Sequence, residues 1–121
     1  MTDLLREIEK GYEAKYKLDE EMRFKAMCRC SKMFGLWAAD HLGLDGQQAD
    51  EYARRLVRLT LDGPHADAVV DTVLTDFHTA EVRLTDSDTN AAYHRFYAVA
   101  CEQIGSDYPT PLGTDHVQVG G

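Results

Sequence analysis

The fold is decided by residues 12–44, which read YEAKYKLDEEMRFKAMCRCSKMFGLWAADHLGL. The apolar residues of this stretch recur at steps of three and four, a spacing that places them along one side of a helix. That stripe consists of Leu18, Met22, Ala26, Cys30, Met33, Trp37 and either His41 or Leu42. The stretch therefore predicts a long amphipathic helix with one face in a core, ended by Gly43, a residue suited to a left-handed C-cap.

Three further helices are predicted from the rest of the chain. One follows the N-cap candidate Asp45 and ends at Gly63. In the next, AVVDTVL is rich in valine and a strand is the competing interpretation, but the spacing of its apolar residues is helical and no partner strand is evident. The last begins at Thr85 or Asp86 and closes at Gly105. The sequence thus predicts an all-α fold, with a four-helix bundle over residues 19–105.

Both ends of the chain are predicted to lie outside the bundle. Residues 1–18 alternate charges closely, and a single short helix with Gly11 in its middle is marginal in water. We therefore expect a mobile N-terminal helical arm that becomes ordered on a partner. Residues 106–121 contain two prolines and three glycines with no periodic apolar face, which predicts a disordered tail.

The distribution of charge disfavours nucleic acid as a partner. The formal net charge is -8; residues 1–40 hold eight Lys or Arg and eight Asp or Glu, so the excess comes from residues 41–121, with five against thirteen. An acidic body repels phosphate backbones. A charge-balanced arm on an acidic body favours a protein partner instead.

The expected compartment is the cytosol. The sequence has no apolar run long enough for a bilayer, and residues 1–10 lack the central apolar region of a secretory signal, so we expect no membrane insertion. The three cysteines are an odd number in such a chain, and reduced thiols are expected. Cys30 and Cys101 are interpreted as small core residues.

No catalytic residues, metal site or cofactor are predicted. The five histidines never fall three or four residues apart, no Glu-x-x-His occurs, and Cys28 and Cys30 point in different directions on a helix. A glycine-rich phosphate loop and a serine nucleophile elbow are both missing from the sequence. Arg54 and Arg58 lie one turn apart and could hold a carboxylate or phosphate together, but pairing with nearby Asp50 and Glu51 is the expectation.

Three motifs in the first forty residues carry a family resemblance. They are an aromatic-Glu-x-Lys-aromatic start, an acidic pair leading into Arg-Phe-Lys-Ala, and a Gly-x-Trp-Ala-Ala block, here Tyr12, Glu13, Lys15, Tyr16; Glu20, Glu21, Arg23, Phe24, Lys25, Ala26; and Gly35, Trp37, Ala38, Ala39. The chain thereby resembles the small zeta-type inhibitor subunit of alphaproteobacterial F-type ATP synthases. The likeness is closest over residues 11–60 and extends to Ile104, with Cys30 and Ser31 as departures.

The resemblance implies a regulatory subunit, not an enzyme. It would inhibit ATP hydrolysis by inserting residues 1–18 at a catalytic interface between the alpha and beta subunits, while the bundle stays outside. It implies the alpha, beta and gamma subunits of the ATP synthase as partners, at the cytoplasmic face of the inner membrane, and a monomer when free. The partner-binding residues expected in the arm are Leu4, Leu5, Arg6, Ile8, Lys10, Tyr12, Glu13, Lys15, Tyr16 and Lys17.

One alternative stays open from the sequence. Cys30, Ser31 and a helix break at Gly11 are compatible with a cytosolic adaptor, or a bundle that binds a small ligand such as a nucleotide, in which the inhibitory arm has been lost.

Overall fold

Five helices make up the part of the chain that the structure describes. This computed structural model describes residues 2–63 and 66–107, with side chains at all of these positions except 2–6, 8, 9, 66 and 107. The helices are α1 (Thr2–Lys15), α2 (Glu20–His41), α3 (Gly46–Asp62), α4 (Ala66–Thr79) and α5 (Asp86–Asp107). No strand occurs in these described ranges, so the all-α prediction is confirmed, and the valine-rich segment is helix α4.

The N-termini of α2 and α5 are closed by side chains that satisfy free backbone N–H groups. The Asp19 carboxylate accepts a hydrogen bond from the Met22 N–H at 2.8 Å, at the point where the predicted bundle begins. At α5, the Thr85 hydroxyl accepts from the Asp88 N–H at 3.0 Å and the Asp88 carboxylate accepts from the Thr85 N–H at 3.1 Å. This reciprocal pair is a capping box, and it confirms the predicted start of the last helix.

The C-termini of α1, α2 and α4 share one motif, in which a left-handed residue turns the chain. The left-handed residues are Lys17, Gly43 and Glu81, with φ of 53°, 81° and 59°. The next residue is apolar in all three cases and donates its N–H to the carbonyl five residues earlier at 2.9 Å. This is the Schellman arrangement, which satisfies helix-end carbonyls and returns the chain to the core. Only the glycine among the three was identifiable as a C-cap from the sequence.

The Lys17 turn corrects the prediction of one helix running on from residue 12. The stretch is divided: α1 ends at Lys15 and α2 begins at Glu20. The physical reason is that Leu18, 7% exposed, follows the turn into the core, which a straight helix would not permit at this point. Gly11, by contrast, does not break α1, which is continuous through it.

Helix α2 is the centre of the bundle. It packs on α3, α4 and α5, whereas α1 packs on α5. The contact with α3 is very close at Gly35, where an added Cβ would lie 2.8 Å from the Ala53 Cα. Beside it, the buried hydroxyls of Ser31 and Thr60 share a hydrogen bond of 2.6 Å. Helices α2 to α5 therefore form the predicted four-helix bundle, in which the backbones of α2 and α3 lie in close contact at Gly35.

Of the stripe predicted within residues 12–44, three residues lie in the core and four pack against it half-buried: Leu18, Ala26 and Cys30, and Met22, Met33, Trp37 and Leu42. Cys30 and Cys101 are fully buried, and the Cys30 thiol donates to the Tyr93 carbonyl at 3.7 Å. The Trp37 ring stacks on Phe34 with centroids 5.6 Å apart and also meets Phe77 at 5.7 Å. Trp37 is therefore a core anchor, as predicted.

The last helix is slightly longer than the prediction. Helix α5 passes through Gly105 and ends at Asp107, so two residues of the predicted tail are helical. Residues 108–121 of that tail lie outside the described residues.

Candidate functional site

The candidate site is α1, the segment predicted to be the partner-binding arm, together with the surface of α5 that it covers. The residues predicted to bind a partner fall into two groups. Tyr12, Glu13 and Tyr16 are half-buried against the bundle, whereas Lys10 and the cations at the C-terminal end of α1 are exposed. One face of the arm therefore packs against the bundle of the same chain.

Glu13 makes the polar contact that joins α1 to the bundle. Its carboxylate accepts a hydrogen bond from the Tyr97 hydroxyl of α5 at 2.8 Å. The same carboxylate lies 3.6 Å from the Arg23 Nε at the start of α2, and its side chain is only 19% exposed. Hydrogen bonds to a carboxylate are roughly twice as strong as neutral ones, so this contact fixes the register of α1 on α5.

Two tyrosines of α1 supply the apolar part of the same contact. The Tyr12 ring lies 6.4 Å from the Tyr97 ring in a tilted geometry. Tyr16 lies over Gly105, where an added Cβ would come within 3.3 Å of the Tyr16 Cβ. The absence of a side chain at Gly105 therefore leaves room for Tyr16 to pack on α5. The prediction that Gly105 ends the last helix is wrong, since α5 continues to Asp107.

The outward side of α1 is basic near its C-terminal end. Lys10, Lys15 and Lys17 are exposed, and the Lys15 ammonium lies 5.4 Å from the centre of the Tyr16 ring. Lys17 also has the strained left-handed backbone of the turn. The side chains of the other predicted site residues lie outside those that the structure describes; these are Leu4, Leu5, Arg6 and Ile8.

The sequence did not predict which residues of α5 contact α1. Tyr97 belongs to the apolar stripe of α5 and is fully buried. Nothing in that stripe indicates that its hydroxyl meets a carboxylate 84 residues earlier in the chain. The signals that were available are the two tyrosines and the glycine along α5, and the acidic residue Glu13 between Tyr12 and Tyr16.

The two residues that depart from the family pattern are both buried in the bundle. Cys30 and Ser31 have no exposed surface, and each is hydrogen-bonded to a neighbouring helix, Cys30 to α5 and Ser31 to α3. They are therefore part of the core packing of α2 against α5 and α3. The helix break at Gly11, the other support for a lost arm, is contradicted by the continuous α1.

Burial raises the pKa of two titratable groups of the described bundle, Cys28 and Tyr52. Burial raises the pKa of the Cys28 thiol, which leaves little nucleophilic thiolate at neutral pH. Burial, followed by the hydrogen bond that Tyr52 donates to Asp76 at 2.7 Å, raises the pKa of the Tyr52 hydroxyl, so it stays protonated. Within residues 2–63 and 66–107, no three His, Cys, Asp or Glu side chains are placed to hold a metal ion. In the same residues, every helix is too short or too polar to span a bilayer.

Comparison with known proteins gives one match. The family model described as ATPase inhibitor subunit zeta matches residues 1–103, which include α1, the Lys17 turn and nearly all of the bundle. Searches of curated proteins and of solved structures found no match to this chain.

Proposed function

The chain belongs to the ATPase inhibitor subunit zeta family, and we propose that it stops ATP hydrolysis by an F-type ATP synthase by inserting residues 1–18 between an alpha and a beta subunit. The observation that carries this proposal is the extent of the match, which takes in the whole of α1 as well as the bundle. The match thus covers both the segment proposed to inhibit and the folded body.

The way in which α1 is attached supports its use as an inserting arm. Among its described side chains, Glu13 and Tyr12 contact the bundle, as does Tyr16 just after it, and α1 is joined to α2 by a turn of four residues, 16–19. An attachment of this size is at the low-stability end of a structure, and it can open without unfolding the core. Release would expose Tyr12 and Tyr16 as anchors for a partner, as expected of aromatic residues at an interface.

The proposed mechanism is steric and needs no catalytic group in this chain. An inserted helix blocks the movement of the catalytic subunits by occupying the space into which they close. The exposed cations Lys10, Lys15 and Lys17 are suited to pair with carboxylates at the entrance, where such pairs govern the rate of association. We propose that the chain itself is not an enzyme.

The subunits proposed to meet the arm are alpha, beta and gamma of the ATP synthase, with the bundle held outside on the cytoplasmic side of the membrane. An arm inserted between alpha and beta would approach the central gamma subunit with its N-terminal end. The chain is proposed to be a monomer before it binds.

The test is ATP hydrolysis by the ATP synthase of the same organism, measured with increasing amounts of the full-length protein and of the form lacking residues 1–17. We expect inhibition by the full-length protein and none by the shortened form. The cut preserves Leu18 and the Asp19 cap, so the bundle should keep its core. Far-UV circular dichroism and thermal unfolding check that the shortened form is folded.

A second variant separates loss of the arm from loss of its anchors. The double substitution Y12A/Y16A keeps the length and charge of α1, and it should weaken inhibition strongly while the bundle stays folded. Full inhibition by the form lacking residues 1–17 would contradict the proposed role of the arm. No inhibition by any form would favour the adaptor or ligand-binding bundle instead.

A further inference from the structure

A basic groove runs along α2 and α3 on the surface of the bundle and reaches α5 at Ile104. We infer that this groove is a second docking surface, which holds an acidic segment of the inhibited ATPase that also carries apolar side chains. The inference rests on the proposed function, because it takes the ATPase as the partner.

Three depressions that share lining residues make up the basic groove. The first two share Lys32 and Val57, and the first and third share Arg54 and Arg58. Along α2 the groove runs from Phe24 to Lys32, which is about 12 Å at the helical rise of 1.5 Å per residue. The groove is therefore long enough for several residues of a polypeptide, and longer than a single small anion requires.

The sign of charge in the basic groove is opposite to that of the chain. Its walls carry six cations and two carboxylates, although the net charge of the chain is -8. The cations are Lys25, Arg29, Lys32, Arg54, Arg55 and Arg58. A cluster of this kind attracts a negatively charged partner and steers it during association.

Three of these cations are not committed to partners within the described residues. The expected pairing of Arg54 and Arg58 with Asp50 and Glu51 is not observed among the described residues, and Glu51 accepts a hydrogen bond from the Gln47 amide at 3.1 Å. Among residues 2–63 and 66–107, no hydrogen bond or ion pair joins Arg54, Arg58 or Lys32 to another side chain. These three line the same depression, so an incoming carboxylate would find cations on both helices.

The floor of the basic groove is apolar, which favours a protein segment over a free anion. Ala53, Val57 and Leu61 follow one another along α3 beneath the cations. Leu61 is 56% exposed, and Phe24 at the other end is 37% exposed. Exposed apolar side chains ringed by charge are typical of a protein interaction site. Carboxylates with interspersed apolar side chains match both features of the groove.

The test compares a charge reversal in the basic groove with a matched reversal elsewhere. R54E/R58E changes the net charge as much as R83E/R95E, whose arginines are exposed and lie outside the groove. The concentration needed for half-inhibition of ATP hydrolysis should rise by about tenfold or more for R54E/R58E and stay near the wild-type value for R83E/R95E. The difference should shrink at high salt, where exposed charges are screened. Thermal unfolding of both variants checks that the bundle is intact.

A second measurement identifies the occupant. A zero-length carbodiimide cross-linker joins a lysine amine to a carboxylate in contact with it, so the bound complex should yield a product between Lys32 and an Asp or Glu of the ATPase. The neutral substitution K32Q should remove that product and leave cross-links from the arm. Mass spectrometry then gives the acidic segment and its apolar neighbours.

The outcomes separate the two proposals. Equal inhibition by R54E/R58E and wild type, with no product at Lys32, overturns the docking surface while leaving the role of the arm. No inhibition by the wild type and no product at Lys32 overturns both. If inhibition is unchanged but inorganic pyrophosphate shifts the amide resonances of Lys32 and Arg58, the groove binds a small phosphate, and the inference is wrong.

Discussion

The contact between α2 and α3 differs from the contact between α1 and α5 in how closely the backbones approach. At Gly35 and Ala53 a single added carbon would be 2.8 Å from a backbone atom, and the adjacent hydroxyl pair is fully buried. At α1 the contact is made by long side chains, with Glu13 and Tyr16 partly open to solvent. The first contact closes a core, and the second fastens a helix to its outside.

This difference bears on how an inhibitor can both fold and insert. In a close-packed core, a side chain of larger volume forces neighbouring atoms to move, because there is no empty space to receive it. A contact made by a tyrosine hydroxyl and a carboxylate costs less to open than a core costs to unfold, since water replaces the hydrogen bond. Opening of α1 and unfolding of the bundle should therefore be separable events, and substitutions can test each of them.

The largest effect is expected at the α2–α3 contact. G35V inserts three carbons where the first already meets the Ala53 Cα, and overpacking of this kind should lower the free energy of unfolding by about 3 kcal/mol. Urea unfolding followed by circular dichroism measures the change. The matched control is G11A, since nothing lies within 4 Å of a Cβ at Gly11. A bundle of wild-type stability in G35V would show that this contact is not close-packed in solution.

The next effect is expected at the α1–α5 contact. Y97F removes the hydroxyl that donates a hydrogen bond to the Glu13 carboxylate. Its loss should favour opening of α1 by about 1.5 kcal/mol, or roughly tenfold in the opening equilibrium. Amide hydrogen exchange in residues 7–15 measures the opening. Inhibition should become stronger by up to the same factor, because less free energy is needed to release the arm.

A matched substitution inside the bundle controls for the loss of a tyrosine hydroxyl. Y52F removes a similar bond, from Tyr52 to Asp76 at 2.7 Å, which joins α3 to α4. It should lower the stability of the bundle without a selective increase of exchange in α1. If Y52F and Y97F accelerate exchange in α1 equally, then α1 opens only when the bundle unfolds, and the two contacts are not independent.

Two smaller effects are expected at Gly105, a more stable α5 and a weaker contact between α1 and α5. G105A should stabilise α5 by up to about 1 kcal/mol through helix propensity. The new Cβ would also press on Tyr16 at 3.3 Å and loosen α1. The midpoint of thermal unfolding should thus rise while amide exchange in α1 becomes faster. Slower exchange in α1 would mean that Tyr16 shifts to accommodate the methyl group.

The smallest effect concerns pH and the bundle alone. His94 on α5 is half-buried, its Nε2 has no hydrogen-bond partner among the described residues, and burial lowers its pKa below 6.5. The unfolded chain then binds a proton first as pH falls, so this group lowers the stability of the bundle below about pH 6.5. H94Q should flatten the dependence of the unfolding midpoint on pH between 7 and 5. A parallel pair of curves for wild type and H94Q would contradict this.

Much of the bundle follows from the sequence because its signals are local. The spacing of apolar residues identifies the helices α2 to α5, and Gly43 and Thr85 each mark a helix end by chemistry that acts within a few residues. The family motifs in the first forty residues similarly point to an ATPase inhibitor subunit, and the match over residues 1–103 agrees. The binding residues proposed for the arm stay predictions.

Tertiary structure decided what depends on residues distant in the chain. Lys17 takes a left-handed turn that lysine does not favour, because Leu18 is buried beyond it, and so the predicted long helix is divided. Three further features likewise depend on how several helices are placed together. They are the partners of Glu13, the packing of Tyr16 on Gly105, and the lack of side-chain partners for Arg54 and Arg58 among the described residues. Periodicity specifies which face of a helix is buried, but only packing determines which helix covers it and which charges are left facing the solvent.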